Sequence, residues 1–425
     1  MDLNFKIDVS KLKESLGKLS SVGNYSVFII PIVLIGIAVI LLGVNGFLSR
    51  RLQAKVEKSS LKLAQTVNSY SSEPISAGQS EIEKKYQDVL EADANNLEKL
   101  MIQTTRRELL SYQLFPEPKG TQVELFWQFG QAYRQGIEDM LAQYNAHSGP
   151  TAAEMERAVR QSVPGAKAPG TVGGAQKFSL SQLGDVERMI AEEICRSVAS
   201  NASFSAIPAD IPGYLYWDKQ RAGLNSAFSY TNSINAVEQC WYFQLGYWII
   251  EDVLKTIGSM NSDCSSVIDC PVKRLAGLDF GKSDQQQSWQ IVLPSYVKSF
   301  NDSLTVGHTG RVSNEQNDVV QFEFSVIIDR RQVLPFMEEL CRVKEHTFKG
   351  FSGDEPEQVF RHNQITILEA NIQPVNVNDS DNELYRYGDG SIVSLELICE
   401  YIFERAGYDE VEPEFIKSPG KEVED

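Results

Sequence analysis

Residues 319–343 read VVQFEFSVIIDRRQVLPFMEELCRV, and this stretch decides the fold class of the C-terminal half of the chain. Its first ten residues alternate between apolar and polar, which is typical of a β-strand with one buried face. The apolar positions are Val320, Phe322, Phe324, Val326 and Ile328. Asp329 is followed three residues later by Gln332, a helix-start signature, and the apolar spacing beyond it predicts a helix to Val343.

Towards the C-terminus, the pattern continues with two further strands. Ile365–Val375 reads as a strand, and the polar segment Asn376–Gly390 predicts a turn region. Ile392–Glu404 again alternates between apolar and polar residues, so it predicts a second strand with one buried face. Residues 405–425 are charged and contain proline, and we expect them to be a disordered tail.

Towards the N-terminus, the same order of elements occurs once more. Ile234–Ile257 predicts a strongly apolar helix, which Gly258 would end as its C-terminal cap. Val272–Phe280 and Trp289–Phe300 follow as expected strands. Two helix–strand–strand halves make residues 234–404 an α+β domain: a ferredoxin-like αββ–αββ sandwich with a four-stranded antiparallel sheet and two helices on one face.

The N-terminal region carries the signature of a membrane anchor. Val27–Leu48 (VFIIPIVLIGIAVILLGVNGFL) is almost wholly apolar, and about 20 such residues span a bilayer as a helix. The segment is longer than the core of a signal peptide, and Arg50 and Arg51 follow it instead of a small-residue cleavage site. We therefore expect a retained transmembrane helix after a short cytoplasmic tail, residues 1–26, although lysines on both flanks leave its orientation undecided by charge.

Residues 49–115 are expected to form membrane-proximal helices. Leu52–Tyr70 and Glu81–Ser111 both place apolar residues at steps of three and four, as an amphipathic helix does. The pattern is consistent either with a coiled-coil stalk or with a helical hairpin folded onto its own domain. Leu90 and Leu97 lie on the apolar side of the second helix, and we predict that they take part in partner binding.

Residues 116–233 are expected to be a helical and irregular insert. Gln122–Ala146 and Ser181–Ser200 predict helices, and residues 163–176 predict a flexible loop rich in glycine, alanine and proline. A set of aromatic side chains in and after this region forms either a binding groove or, more in keeping with helical spacing, part of the core: Trp217, Trp241, Tyr242, Tyr247 and Trp248.

Charge and cysteine content restrict the function and the compartment. The net charge of −17 argues against nucleic-acid binding, which requires clustered Lys and Arg. All six cysteines follow the predicted membrane helix, so disulfides are expected if the large domain lies in an oxidising compartment. Cys264 and Cys270 are the preferred pair, closing a small loop, and the remaining cysteines fit buried thiols.

Signatures of catalysis are largely missing from the sequence. The four histidines are widely spaced and form no paired-ligand motif, so each is expected at the surface or in a turn. Residues 379–383 carry three acidic side chains but lack the glycine and closing glutamate of a calcium loop. No nucleophile elbow occurs. We therefore expect no enzymatic activity, no cofactor, no metal site and no small-molecule substrate.

The order of elements, and the segment 319–343 with its closing strands Ile365–Val375 and Ile392–Phe403, resembles the PilO/GspM class. These are assembly-platform proteins of type IV pili and type II secretion systems, and the resemblance is to enlarged forms in the Planctomycetes–Verrucomicrobia group. It implies a single-pass inner-membrane scaffold with a periplasmic domain that forms a homodimer or a heterodimer with a PilN-like protein. The chain departs from the class in residues 116–263, which are longer and more aromatic.

Two other functions remain open at this level. The chain could be an interaction protein of the same fold at the cell surface or outer membrane. It could also be a membrane-tethered enzyme or carbohydrate-binding module that uses residues 116–263.

Overall fold

The computed structural model describes residues 49–52, 55, 62, 77–120, 122–162, 183–224, 226–281, 292–305, 309–379 and 381–417. The predicted membrane helix Val27–Leu48 lies outside these ranges, as do the loop 163–176 and most of the predicted helix Leu52–Tyr70. Among the helices in the described ranges, none has the length and apolar character needed to cross a membrane. Contacts between residues divide the chain into two units, 1–92 and 93–425.

The longer predicted helices are confirmed, with ends shifted by a few residues. In chain order the helices are α1 (Ala77–Thr105), α2 (Val123–Gln143), α3 (Ala152–Ser162), α4 (Asp185–Ser200), α5 (Ser233–Met260), α6 (Val333–Leu340) and the short α7 (Glu414–Lys417). The Asp329 carboxylate accepts a hydrogen bond from the backbone N–H of Arg331, which begins a 3₁₀ turn that leads into α6. The chain is therefore α+β, as predicted. The expectation of a disordered tail is wrong for residues 405–417, in which Tyr408, Val411 and Glu412 are buried.

Eight strands are distributed over two sheets in the described residues. They are β1 (Ala146–His147), β2 (Phe204–Ser205), β3 (Val272–Asp279), β4 (Asn317–Asp329), β5 (Lys344–Phe348), β6 (Gln358–His362), β7 (Ile365–Pro374) and β8 (Ile392–Glu404). One sheet has the order β1-β2-β3-β4-β8-β7, and β5 and β6 form a separate two-stranded hairpin. The sheet is mixed, because β1, β2 and β3 pair in parallel and the remaining pairs are antiparallel.

The centre of the sheet is formed by the two strands whose alternation was clearest in the sequence. β4 and β8 pair antiparallel over their full length, and Phe324 lies directly opposite Leu397. Both side chains are buried on the face that α5 and α6 cover. The predicted pairing of these two strands in one antiparallel sheet is confirmed.

The sheet differs from the predicted one at its edges. It has six strands instead of four, because β1 and β2 extend it beyond β3. Strands of two residues carry no readable alternation, so the sequence did not indicate them. The prediction of a strand at Trp289–Phe300 is wrong for the residues of this range that the structure describes. Residues 292–300 are irregular apart from one β-bridge, between Tyr296 and Val320. Pro294 lacks the N–H that a regular ladder requires.

The hydrophobic core lies between the sheet and helices α2, α5 and α6. Trp217, Trp241 and Trp248 are at most 2% exposed, and their ring neighbours are aromatic. The aromatic set seen in the sequence is therefore mainly core, and the groove interpretation is not supported at these three residues.

Gly258 has a packing role in place of the predicted capping role. Helix α5 continues through Gly258 and ends at Met260, with Asn261 as its cap. A Cβ atom at Gly258 would overlap the ring of Tyr144, at the end of α2. Glycine at this position therefore permits close approach of α2 and α5.

Candidate interaction site

Helix α1 carries a row of exposed apolar side chains. Each is at least 49% exposed: Ile82, Tyr86, Val89, Leu90, Leu97, Leu100 and Met101. Because steps of three and four return to one side of an α-helix, these residues share a face. An exposed apolar face of this length is characteristic of a surface that contacts another protein.

The structure places both predicted partner-binding residues on this face. Leu90 and Leu97 are 49% and 60% exposed, and they lie two helical turns apart. Asp93 lies between them and interrupts the apolar row. The polar residues Asn95 and Asp88 lie on the opposite side of the helix, so α1 is amphipathic. Within the described part of the chain, its apolar side is left exposed.

The end of α1 belongs to the second unit and is firmly attached to other residues of that unit. The Thr105 hydroxyl donates to the carbonyl of Glu404 at 2.7 Å. Gly407 packs against Thr105 so closely that a Cβ atom there would overlap the threonine side chain. Just beyond the helix, the Trp248 indole N–H donates to the carbonyl of Glu108 at 3.0 Å. The end of α1 is therefore attached to β8, and the segment just beyond it is attached to α5.

A buried ionic network reinforces the same attachment. Arg107 is 2% exposed, and its guanidinium donates to both carboxylate oxygens of Asp252 on α5 and to the hydroxyl of Tyr401 on β8. It also pairs with Glu251, which is partly exposed. Burial alone would raise the pKa of the Asp252 carboxyl, but Arg107 and His362 hold it well below its usual value. Asp252 is therefore ionised, and its charge is balanced inside the protein.

Two histidines extend this network, which corrects the expectation that every histidine lies at the surface or in a turn. His346 and His362 are 8% and 3% exposed. Their Nδ1 atoms are 2.8 Å apart, and His362 Nε2 is 2.8 Å from Asp252 Oδ2. Antiparallel pairing of β5 and β6 brings them together, although they are 16 residues apart. Burial alternates along Lys344–Phe348 in the structure, but its sequence, KEHTF, has no apolar–polar alternation, so the sequence carried no signal for this hairpin.

The network contains two histidines and two carboxylates, but their arrangement is not that of a metal centre. Within the described residues, no group of three or more His, Cys, Asp or Glu side chains is arranged to hold a metal ion. The acidic residues of 379–383 lie in a turn region, in which the Asp379 carbonyl accepts hydrogen bonds from the N–H groups of Asn382 and Glu383. No nucleophile lies within hydrogen-bond reach of the two histidines among the contacts of these residues.

The outer face of the sheet forms an acidic groove. Segments on either side cover its ends: the backbone N–H of Arg311 donates to Glu400, and Tyr387 packs near Ile327. Between them lies a cavity of about 610 Å³ over the middle of β3, β4, β8 and β7. Its lining includes five carboxylates: Asp210, Asp279, Glu323, Glu369 and Glu396. Such a lining disfavours anionic ligands, including nucleic acid.

The structure joins Cys264 and Cys270 in a disulfide, with their Cα atoms 5.4 Å apart. The bond closes the short loop between α5 and β3, where the sequence suggested it. Cys195, Cys240 and Cys399 are buried free thiols, and Cys341 is half-buried. Burial raises the pKa of the Cys240 and Cys399 thiols well above the ordinary value, so both are held in the unreactive neutral form.

Comparison with models of known protein families, with curated proteins and with solved structures finds no significant match. The function therefore has to be argued from the residues of the chain itself.

Proposed function

We propose that this protein is a non-enzymatic scaffold, anchored in the inner membrane, that works by protein–protein contacts in type IV pilus or type II secretion assembly. The observation that carries the proposal is the exposed apolar face of α1. Leaving this many apolar side chains in water is unfavourable, at roughly 25 cal/mol per Å² of apolar surface, and a partner helix would remove that cost.

The arrangement of the second unit supports this assignment. Its antiparallel strands have the order β3-β4-β8-β7, with α5 and α6 on one face. This is the strand order of a ferredoxin-like domain built from two αββ halves, which is the domain that the resemblance to the PilO/GspM class implies. In this interpretation β1, β2 and the hairpin β5–β6 are additions to the common domain.

The charge of α1 bears on the partner. Asp93 lies within the apolar row, so two identical helices paired in parallel and in register would bring two Asp93 carboxylates together. Like charges at such a seam oppose pairing. Of the homodimer and the heterodimer with a PilN-like protein, this favours the heterodimer.

Localisation at the inner membrane rests on Val27–Leu48 and on the disulfide. A disulfide between Cys264 and Cys270 persists in an oxidising compartment, which favours the periplasmic side for the large domain. Protease treatment of intact spheroplasts should then degrade the chain beyond Arg51 and leave a short protected fragment. Protection of the whole chain would contradict this topology.

The test of the scaffold proposal uses the full chain, extracted from membranes in mild detergent. Leu90→Asp/Leu97→Asp should reduce association, measured by sedimentation and by co-purification with the PilN-like protein, at least tenfold. The control is Asn95→Asp, which adds one negative charge on the opposite face of α1 and should leave association unchanged. A strictly monomeric chain with hydrolase or transferase activity dependent on residues 116–263 would overturn the proposal in favour of the enzyme alternative.

A further inference from the structure

The histidine pair of the β5–β6 hairpin is the most unusual group of contacts in the described interior. His346 lies on β5 and His362 on β6, and their Nδ1 atoms are 2.8 Å apart. At the outer end of each ring is a second contact. His346 Nε2 is 3.0 Å from the carbonyl oxygen of Arg106, and His362 Nε2 is 2.8 Å from Oδ2 of Asp252. The three contacts form one continuous chain from Arg106 to Asp252.

The chain of contacts requires more protons than two neutral imidazoles supply. A carbonyl oxygen can only accept, so His346 must donate from Nε2 to Arg106. The ionised carboxylate of Asp252 also accepts, so His362 must donate from Nε2. A neutral imidazole has a single N–H, and each of the two rings already uses its own at Nε2. Two lone pairs therefore face each other between the Nδ1 atoms unless a third proton lies between them.

Charged and titratable groups from every adjoining element surround the pair. Arg107 follows the end of α1. Asp252 and Glu251 lie on α5, Lys344 lies on β5, and Tyr401 lies on β8. Lys344 is satisfied by carbonyl oxygens at the end of α6, and Arg107 by the acidic pair on α5. Burial, with Arg107 and the neighbouring ring, lowers the pKa of His346 to about 3, and burial lowers that of His362. Both rings are therefore neutral at pH 7 and above.

A route for a proton exists beside the pair. A cavity of about 180 Å³ is lined by Arg107, Glu108, Glu251, His346 and Thr347, among others. Glu251 is partly exposed, so a proton can pass from solvent to the edge of the His346 ring without unfolding of the hairpin.

We propose that His346 and His362 form a binding site for a single proton, which is taken up in acid, is shared between the two Nδ1 atoms, and loosens the β5–β6 hairpin from α5 and from residue 106. In the neutral form the two Nε2–H hydrogen bonds hold the hairpin to Arg106 and Asp252, although the Nδ1 lone pairs face each other. In the protonated form the shared proton adds a charge to a buried site beside Arg107, and because the opened hairpin binds a proton more tightly than the closed one, acid favours opening. The proposal concerns this hairpin alone and does not depend on the proposed function.

Imidazole nitrogen NMR of the wild-type chain, ¹⁵N-labelled at histidine and held in detergent, tests the site directly. At pH 8 both rings should show Nε2–H with an unprotonated Nδ1. On acidification both Nδ1 signals should shift together, with one midpoint, and together take up one proton. Independent titration of the two rings, or an Nδ1–H form of either ring at pH 8, would overturn the proposal.

Hydrogen exchange of the backbone amides in β5 and β6 provides the second measurement. After correction for intrinsic exchange rates, protection of these amides relative to those of β4 should fall at least about tenfold when the pair is protonated, because the pKa of both rings is lower in the closed hairpin than in the opened one. His346→Gln keeps an amide donor towards Arg106 but removes Nδ1, so the pH dependence of protection should be lost. His147→Gln, at an exposed position on β1, is the control and should behave as wild type. Equal pH dependence in His346→Gln and wild type would contradict the shared proton.

Discussion

Arg107 and Asp252 form a two-point ion pair in the interior of the protein. Nη1 of Arg107 is 3.0 Å from Oδ2 of Asp252, and Nη2 is 3.2 Å from Oδ1. The residues are 145 positions apart, and their side chains are 3% and 1% exposed. This pair joins the chain just beyond α1 to the middle of α5, within the second unit.

Arg107→Ala should destabilise the protein by about 3–5 kcal/mol, because it leaves the Asp252 carboxylate buried without its main counter-charge. Thermal or denaturant unfolding measures the change. The control is Arg342→Ala, which breaks an exposed ion pair with Glu339 and should cost less than about 1 kcal/mol. Equal effects of the two substitutions would mean that the interior pair contributes no more than a surface one.

Phe324→Asp and Leu397→Asp should each lower the free energy of unfolding by at least about 3 kcal/mol, because each places an unpaired charge on the buried face of the sheet. The two residues are opposite each other across β4 and β8. Ile372→Asp provides the matched control, since Ile372 on β7 is 55% exposed and its substitution should cost less than about 1 kcal/mol. A Phe324→Asp variant that melts like the wild type would show that the face is assigned wrongly.

Glu412→Gln should stabilise the protein at pH 8 by roughly 2 kcal/mol and have little effect at pH 4. Burial, together with the Asp318 carboxylate, raises the pKa of Glu412 to about 7. Between the ordinary value of 4.5 and about 7, the folded state keeps a proton that the unfolded state has lost, so this residue's contribution to stability falls as pH rises. Glutamine keeps a neutral side chain throughout and removes that fall.

The measurement for Glu412 is the difference in unfolding free energy between variant and wild type, followed from pH 4 to pH 8. Taking the difference cancels the groups that titrate equally in both proteins. Glu410→Gln, the same substitution at an exposed position near by, serves as the control. A flat difference for Glu412→Gln would show that burial does not raise the pKa of the Glu412 carboxyl.

Cys264→Ser should destabilise the protein by about 2 kcal/mol under non-reducing conditions, because the disulfide with Cys270 restricts the unfolded chain. Added reductant should abolish the difference from wild type. Mass spectrometry of a non-reduced digest should find the two cysteine peptides joined. The control is Cys341→Ser, which replaces a half-buried free thiol. Alkylation of both Cys264 and Cys270 before reduction would refute the pairing.

The sequence could predict the elements whose signal is local. The alternation of Val319–Ile328 and Ile392–Phe403 depends on a two-residue period within each strand, and the structure pairs them as β4 and β8. The three- and four-residue spacing of α1 likewise placed Leu90 and Leu97 on one face, and both are exposed there. Their role in partner binding stays a prediction.

Contacts between distant residues could not be predicted in this way. Nothing near His346 or His362 indicated that a hairpin would bring them together. Nor did the sequence indicate that Asp252, 110 residues before His362, would accept a hydrogen bond from the His362 ring. Gly258 looked like a helix end, yet its role is set by Tyr144 on another element.

The sequence by itself therefore determined the α+β class, the two central strands, the amphipathic helix α1 and the apolar segment Val27–Leu48. Only the tertiary structure decided the additional strands β1 and β2, the interior ion pair of Arg107 and the proton-deficient contact between His346 and His362. The physical reason is that periodic burial leaves a regular trace along one segment. Charge balance and hydrogen-bond partners in the interior, by contrast, depend on which distant segments are brought into contact.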